Sequence, residues 1–179
     1  MEKRRAFIGK HDILACIAIA AGVILDQWTK ALAVSGLKGK APYILIDQVF
    51  QLCYLENRGA AFGILQNRKW FFLVCAVVIL ILMIRIYRKL PSERKYLPVR
   101  ICILAISAGA IGNLIDRIRL GYVVDFFYFN LIDFPIFNVA DIYVTTAAVA
   151  LVLFVCFYYK EEDFEQIFQR SGRSGDPDR

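Results

Sequence analysis

Two aspartates stand among apolar neighbours, where an ionised side chain is costly. Asp125 lies in the run Val-Val-Asp-Phe-Phe at 123–127, and Asp141 lies just inside the start of an apolar run that reaches Tyr159. An acid within a membrane-length segment faces a protein interior or a water-filled cavity and by default marks a functional site. The competing interpretation of Asp141 is local: Asn138 caps a helix, and the helix dipole stabilises an acid in the first turn.

Neither acid has a cation close to it in sequence, which sets the two apart as a candidate pair. Two carboxylates about 3 Å apart cannot both ionise easily, so they share a proton. One can then act as a base toward water while the other donates to a carbonyl oxygen, which is the chemistry of an aspartic protease. The alternative is two unrelated acids, one in a loop and one at a helix cap.

The remaining acids have simpler explanations. Asp26 and Lys30 are spaced i,i+4 in the favourable order, and Asp116 has Arg119 three residues later. A carboxylate beside a cation is held ionised, so both acids are predicted to be structural. Solvated loop positions are predicted for Asp47, Glu56 and Asp133.

Composition disfavours several other chemistries. The single histidine, His11, precedes the first apolar run, so a His-based zinc site or a Ser/His or Cys/His pair has nothing to build from. Of the five cysteines only Cys53 falls in a polar segment, and neither a disulfide framework nor a metal spacing emerges. We therefore expect no metal and no cofactor. The net charge of +6 is interpreted as membrane topology, not nucleic-acid binding.

The elements that must position these residues are membrane helices. The 179 residues are 59% hydrophobic, with a mean hydropathy of +0.53, and the apolar residues gather into runs of membrane-spanning length. We predict an all-α integral membrane protein forming one domain over 1–179, with helices at about 13–34, 70–89, 97–117 and 139–159 and a polar tail at 160–179 whose end is disordered. Between the first two helices, the β-prone stretches Tyr43–Ile46 and Val49–Leu55 predict a small sheet.

Charge predicts the orientation of these helices. The N-terminus, the loop at 85–100 and the tail hold 14 Lys and Arg, against 6 in the two opposite loops, so both termini are predicted to be cytoplasmic. Small residues spaced four apart in the third helix, at 105 and 109 and at 108 and 112, predict close helix packing. This topology brings the polar residues to the outer membrane face: Asp26, Lys30, Asn113, Asp116, Arg117, Asn138 and Asp141, with Asn57 and Asp125 in the loops above them.

Five motifs, taken together, carry a resemblance to a known family. They are Asp-Gln-Trp-Thr-Lys at 26–30, Asn-Arg-Gly-Ala-Ala-Phe at 57–62, Gly-Ala-Ile-Gly-Asn-Leu-Ile-Asp-Arg at 109–117, Val-Val-Asp-Phe at 123–126 and Phe-Asn-Val-Ala-Asp at 137–141. In this order they closely resemble bacterial lipoprotein signal peptidase, signal peptidase II, over residues 13 to about 160. That family consists of four-helix membrane aspartyl endopeptidases, which remove the signal peptide from prolipoproteins by cutting before the lipid-modified cysteine.

The resemblance implies roles for individual residues. Asp125 and Asp141 would be the catalytic dyad. The resemblance also implies that the substrates are diacylglyceryl-modified prolipoprotein signal peptides and that the protein is a monomer in contact with membrane lipid. It further implies a site on the extracytoplasmic side of the bacterial cytoplasmic membrane. One departure is Ala108-Gly109, where many members have a glycine pair. Substrate-binding or supporting roles are implied for Asn57, Gly59, Asn113, Arg117, Asn138, Ala140, Asp26 and Lys30.

Two other functions compete with this interpretation. A proton-coupled transporter also places acids in apolar helices. Transporter sites lie near the membrane midplane between repeated halves of the chain, whereas this sequence shows no evident repeat and its polar residues gather at one membrane face. A non-enzymatic membrane scaffold held together by the Asp26 and Lys30 pair would leave Asp125 and Asp141 unexplained.

Overall fold

The computed structural model describes residues 10–59 and 68–169. Short 3-10 turns at Arg94–Tyr96 and Asn130–Ile132 precede α3 and follow β3. Along the described chain the elements are α1 (Lys10–Leu37), β1 (Tyr43–Ile46), β2 (Phe50–Asn57), α2 (Lys69–Lys89), α3 (Leu97–Arg119), β3 (Val123–Phe129), α4 (Val139–Phe157) and α5 (Glu161–Gln169).

The prediction of four helices long and apolar enough to cross a membrane is confirmed. α1 runs three residues beyond each predicted end, and it stops where Gly39 takes a left-handed φ of 73°, which suits a glycine just past a helix. α4 ends at Phe157, two residues earlier than predicted, because the N–H groups of Tyr158 and Tyr159 both bond to the carbonyl of Phe154.

α3 is the central helix, with α1, α2 and α4 packed around it. The predicted small-residue face is what lets α1 and α4 approach. A Cβ atom on Gly109 would lie 2.5 Å from the Ala140 carbonyl oxygen, and one on Gly112 would overlap the Asp26 carboxylate. Ala108 packs in the same way against Gly22 of α1. These contacts bring the polar parts of three helices together.

The sheet is antiparallel, in the order β1-β2-β3. Its third strand comes from the connection between α3 and α4, where no strand was predicted, and β2 extends to Asn57 instead of stopping at 55. The register places Asp125 opposite Leu55 and Val123 opposite Asn57. One face packs on the last turns of α1 through a cluster of Ala33, Val124 and Phe126. We call this end of the helix bundle the sheet end.

The opposite end, the tail end, is closed by α5. Tyr96 is fully buried and stacks on Tyr159, with 5.7 Å between the ring centroids. Asp163 accepts a hydrogen bond from the Lys160 backbone at 2.9 Å and forms an ion pair with Lys95. The polar tail therefore includes a helix that was not predicted. Residues 171–177, where disorder was predicted, lie outside the described residues.

Candidate active site

Asp125 is held by two amide side chains from different elements. Its carboxylate, 1% exposed, accepts hydrogen bonds from Asn57 Nδ2 at 2.8 Å and from Asn138 Nδ2 at 2.6 Å. Asn57 ends β2 beside β3, so the strand register delivers the first donor. Asn138 immediately precedes α4 and delivers the second.

Asp141 belongs to the N-terminal cap of α4. Asn138 Oδ1 accepts from the Asp141 backbone at 3.0 Å, and Asp141 Oδ2 accepts from the Asn138 backbone at 3.1 Å, which completes a reciprocal capping box. Its other oxygen, Oδ1, accepts from Asn113 Nδ2 of α3 at 2.8 Å. The capping interpretation of the sequence is therefore correct, and it coexists with a tertiary role for the same side chain. Unlike Asp125, Asp141 is only half-buried.

Asn138 links the two carboxylates. Its Nδ2 group donates to Asp125 and also to Asn113 Oδ1, the latter at 3.1 Å. Its Oδ1 atom accepts from the backbone N–H of Asp141. Burial, reinforced by the charge of Asp141, raises the pKa of Asp125 to about 7, against the opposing effect of the two asparagine hydrogen bonds. Asp125 therefore holds a proton over much of the range below neutral pH. A proton shared directly between the two acids stays a prediction.

A buried ionic network lies beside the pair. The ammonium group of Lys30, 3% exposed, contacts Asp26 at 2.8 Å, Asp116 at 2.9 Å and Asn113 Oδ1 at 2.9 Å, so all three of its donors are used. The sequence-based assignment of Arg119 to Asp116 is wrong, because Arg119 is exposed and the cation that reaches Asp116 comes from α1. Spacing along α3 shows only local neighbours, and α1 lies closer in space.

This network fixes the backbone next to each candidate acid. Asp26 Oδ1 accepts from the backbone N–H of Ala140 at 3.0 Å, one residue before Asp141. Asp116 Oδ2 accepts from the backbone N–H of Val124 at 3.2 Å, one residue before Asp125. Two structural carboxylates therefore hold the two elements that carry the candidate pair in a fixed relation to one another.

Gln27 completes the network, and sequence reasoning missed it. Its amide donates to Asp26 at 3.2 Å, to Asp116 at 2.9 Å and to the Gly112 carbonyl at 3.2 Å. A glutamine beside an acid on a membrane helix is a signal for such a role, but the second acid becomes apparent only once α3 is placed against α1.

Arg117 borders the site without an ion-pair partner in the described part of the chain. Its guanidinium lies 4.7 Å from the centre of the Phe72 ring and makes long contacts of 3.4 Å with the carbonyls of Asn113 and Gly59. Gly59 in turn donates its N–H to Asn57 Oδ1 at 2.9 Å. The guanidinium therefore keeps hydrogen-bonding capacity for another carbonyl group.

The loop acids lie apart from this site. Asp47 and Asp133 are exposed, as predicted, although Asp133 accepts a hydrogen bond from the Tyr128 hydroxyl at 2.6 Å. Glu56 is not simply solvated: it pairs with Lys38 at 3.0 Å and with Arg58 at 3.2 Å. The hydrogen bond from Lys38 is the main cause that lowers the pKa of Glu56 to about 2.

Comparison with known proteins places this arrangement in a family. The model of the family described as signal peptidase (SPase) II matches residues 18–157. The lipoprotein signal peptidase of Caldanaerobacter subterraneus subsp. tengcongensis is 46% identical over 145 residues, covering 80% of this chain and 97% of that relative. That of Streptococcus thermophilus is 42% identical over 147 residues, covering 82% and 93%.

Solved structures show the same similarity in three dimensions. A bacterial membrane enzyme determined by the in meso method at 2.3 Å resolution superimposes with a TM-score of 0.71 at 30% identity, covering 83% of this chain and 92% of that one. The family-model match at 18–157 spans most of α1 and the whole of α2, α3, α4 and the sheet. The chain belongs to the signal peptidase II family.

Proposed function

We propose that this protein is a lipoprotein signal peptidase, an aspartyl endopeptidase of the membrane that removes the signal peptide from prolipoproteins, with Asp125 and Asp141 as its catalytic pair. The observation that carries the assignment of the pair is the link through Asn138 between two acids from different elements. In addition, the backbone N–H of the residue before each acid donates to a carboxylate of the same buried network. The names of the relatives supply the substrate class.

In the proposed mechanism the two acids have different tasks. Asp125, buried and with a pKa raised to about 7, carries the proton and donates it to the oxygen of the scissile carbonyl. Asp141, half-buried and therefore reachable by water, takes a proton from the attacking water. The hydroxyl adds to the carbonyl carbon. The carbon–nitrogen bond then breaks as the departing amine takes up the proton held by Asp141 and Asp125 takes a proton back from the hydroxyl group that it had protonated, which leaves a carboxylic acid and restores the starting pair.

The other residues position the substrate and the pair. Arg117 and Asn57 face the same end of the bundle and bind peptide carbonyls in this proposal, with Gly59 between them. Asn113 donates to Asp141 and accepts a hydrogen bond from the ammonium group of Lys30, so it connects the ionic network to the proposed base, Asp141. No cofactor takes part in these steps.

We place the sheet end on the extracytoplasmic side of the bacterial cytoplasmic membrane. The 14 to 6 distribution of Lys and Arg supports this orientation, with both termini and the loop at 85–100 in the cytoplasm. In a cysteine-free background, a membrane-impermeant thiol reagent should label Lys40→Cys and spare Glu93→Cys in cells whose outer barriers are opened. Labelling of Glu93→Cys alone would invert the orientation.

We further propose that the substrate is recognised through its lipid. A signal helix in the bilayer and acyl chains in the outer leaflet present the scissile bond near the membrane surface, which is where the candidate pair lies in this orientation. The test is cleavage by the purified protein of one precursor with and without diacylglycerol on its cysteine. Equal rates would show that the lipid is not recognised. We expect the active species to be a monomer.

Cleavage itself tests the whole assignment. The purified protein in detergent should cut the diacylglyceryl-modified precursor before the modified cysteine, and a zinc chelator should leave the rate unchanged. Absence of cleavage by folded protein, together with proton flux in proteoliposomes, would favour the transporter. Absence of both would favour the scaffold.

A further inference from the structure

The free edge of the sheet is entirely apolar. All four residues of β1 are exposed, Tyr43 at 62%, Ile44 at 59%, Leu45 at 49% and Ile46 at 58%. Successive side chains of a strand point to opposite faces, so β1 presents apolar groups on both sides. Among the described residues β1 pairs with β2 alone, which leaves its other backbone edge unpaired within them.

A second exposed apolar segment lies against this hairpin. The turn after β3 exposes Leu131 at 68% and Ile132 at 67%, and the Leu131 N–H bonds to the carbonyl of Val49 at the start of β2. The strand register also places Ile46, Phe50 and Phe129 in one row across the sheet. The two segments therefore form one surface, which we call the apolar tip and define as residues 43–46, 129, 131, 132 and 134. Asp133 lies at its border, where its carboxylate accepts a hydrogen bond from the Tyr128 hydroxyl.

Water is an unfavourable environment for such a surface. Edge strands of soluble sheets are usually protected by charged residues, proline or a covering element, because a bare apolar edge promotes aggregation. β1 contains no charged residue and no proline, and the nearest charged residues, Lys40 and Asp47, lie outside it. The apolar tip thus has the character of a surface that is covered in the native setting.

The lipid-facing surface of the helices leads directly to it. The last turn of α3 still exposes Ile118 at 60%, and Leu120, just past the helix, is 44% exposed only three residues before β3 begins. On α1, Leu32 is 51% exposed, one residue before the Ala33 contact with the sheet. Exposed apolar residues therefore reach from the membrane helices to the level at which the sheet packs on them, with the exposed Arg119 between Ile118 and Leu120.

We propose that the apolar tip inserts into the leaflet at the sheet end, among the headgroups and the upper part of the acyl chains. Lipid is thus its occupant. The insertion holds the sheet flat against the membrane surface and fixes the depth of Asn57 and Asp125, which are carried on β2 and β3. This inference depends on the membrane-spanning helices and not on the peptidase activity.

Depth-dependent fluorescence quenching tests the proposal. A polarity-sensitive fluorophore is attached to single cysteines at Ile44→Cys and Ile132→Cys in a cysteine-free chain, with Lys40→Cys, in the connection between α1 and β1, as the control. The proteins are reconstituted into phosphatidylcholine vesicles carrying a nitroxide either on the headgroup or at an upper carbon of the acyl chain. Both leaflets contain quencher, so the orientation of the protein does not matter.

The tip labels should be quenched by the acyl-chain nitroxide at least about threefold more strongly than the Lys40 label, which should respond mainly to the headgroup nitroxide. Quenching of both tip labels no stronger than that of the control would overturn the proposal. So would efficient disulfide cross-linking of Ile44→Cys between two copies, since it would make a second chain the occupant of the edge. Each variant is first checked for the parent unfolding temperature, and Leu131→Cys replaces any site that fails.

Discussion

The substitution Asp125→Asn separates catalysis from folding in a way that the structure makes quantitative. The carboxylate accepts one hydrogen bond on each oxygen, and both donors are amide NH2 groups. An asparagine at this position offers one oxygen and one NH2 group. Whichever way its amide turns, one neighbouring NH2 group faces another donor and loses its acceptor.

The two expected effects differ in size. An unsatisfied buried donor costs about 1–3 kcal/mol, which is a fraction of a typical unfolding free energy of about 5–15 kcal/mol, so the variant should remain folded. Removing the proton donor should lower turnover by about 10²- to 10⁴-fold, equivalent to about 3–5 kcal/mol of transition-state stabilisation. The variant is therefore expected to be slightly less stable and almost inactive.

A compensating substitution isolates the hydrogen-bond term. Asn57→Asp in the Asp125→Asn background restores an acceptor opposite the new NH2 group, so stability should recover while turnover should not. The measurements are thermal unfolding and cleavage of one lipidated precursor, both on matched amounts of folded protein in detergent. Asp133→Asn, at the surface, serves as the control and should cleave at close to the wild-type rate.

Two results would refute this reasoning. Retention of more than about a tenth of wild-type turnover in Asp125→Asn would exclude the aspartyl mechanism, because acid–base assistance alone is typically worth more than that. An unchanged unfolding temperature in Asp125→Asn, with no gain from the second substitution, would show that the two amides do not depend on the carboxylate for their hydrogen bonds.

The remaining predictions concern pH and the packing around the pair. Burial raises the pKa of Asp125 from 3.8 to about 7, so the folded state binds an extra proton between these pH values. The contribution of Asp125 to the stability of the fold therefore falls as pH rises from 3.8 to about 7. The value of kcat/KM should decline above about pH 7, because the proposed proton donor is then ionised. A kcat/KM that still rises at pH 9 would contradict the assignment of the donor. Gly112→Ala should lower the free energy of unfolding by about 1–3 kcal/mol, because the new Cβ displaces the Asp26 carboxylate. The control Gly36→Ala meets nothing within 4 Å and should leave the unfolding temperature unchanged or raise it. Equal shifts in unfolding temperature would argue against the close contact at Gly112. Lys30→Met should cost about 3–5 kcal/mol because it leaves buried carboxylates without their cation, whereas Lys38→Met at the surface should change the unfolding temperature little. Similar unfolding temperatures for the two variants would contradict a buried network.

The helices were predictable because their signals are local. Apolar runs of membrane-spanning length and the small residues of α3 can be read along the chain, and so can the i,i+4 pair of Asp26 and Lys30. β3 was missed because Val123–Phe129 becomes a strand only by pairing with β2, which is distant in sequence. α5 was missed because its first turn is stabilised by Lys95 from before α3, a contact that local composition does not reveal.

The sequence was sufficient to name the candidate residues of the site but not to predict the hydrogen bonds and ion pairs between them. Polar types in apolar surroundings singled out Asp125 and Asp141 as candidates. The helix topology placed the asparagines at the same membrane face, and the family resemblance supplied their roles. The partner of Asp116 could not be deduced in this way, since Arg119 is nearer in sequence and Lys30 is nearer in space. Nor does any spacing rule indicate that Asp26 and Asp116 would hold the backbone beside the two acids, because those bonds join residues 114 and 8 positions apart.

The capping box of α4 also determines when during synthesis the site can exist. Asn138 and Asp141 start the last membrane helix, and Asp125 receives one of its two amide donors from that start. A nascent chain that has inserted α1, α2 and α3 thus carries Asp125, Lys30 and Asn113 but neither the second acid nor the linking asparagine. With Asp125 and Asp141 as the proposed catalytic pair, proteolytic activity would begin only when the final span has entered the bilayer, and a partly synthesised chain would be inactive toward neighbouring membrane proteins.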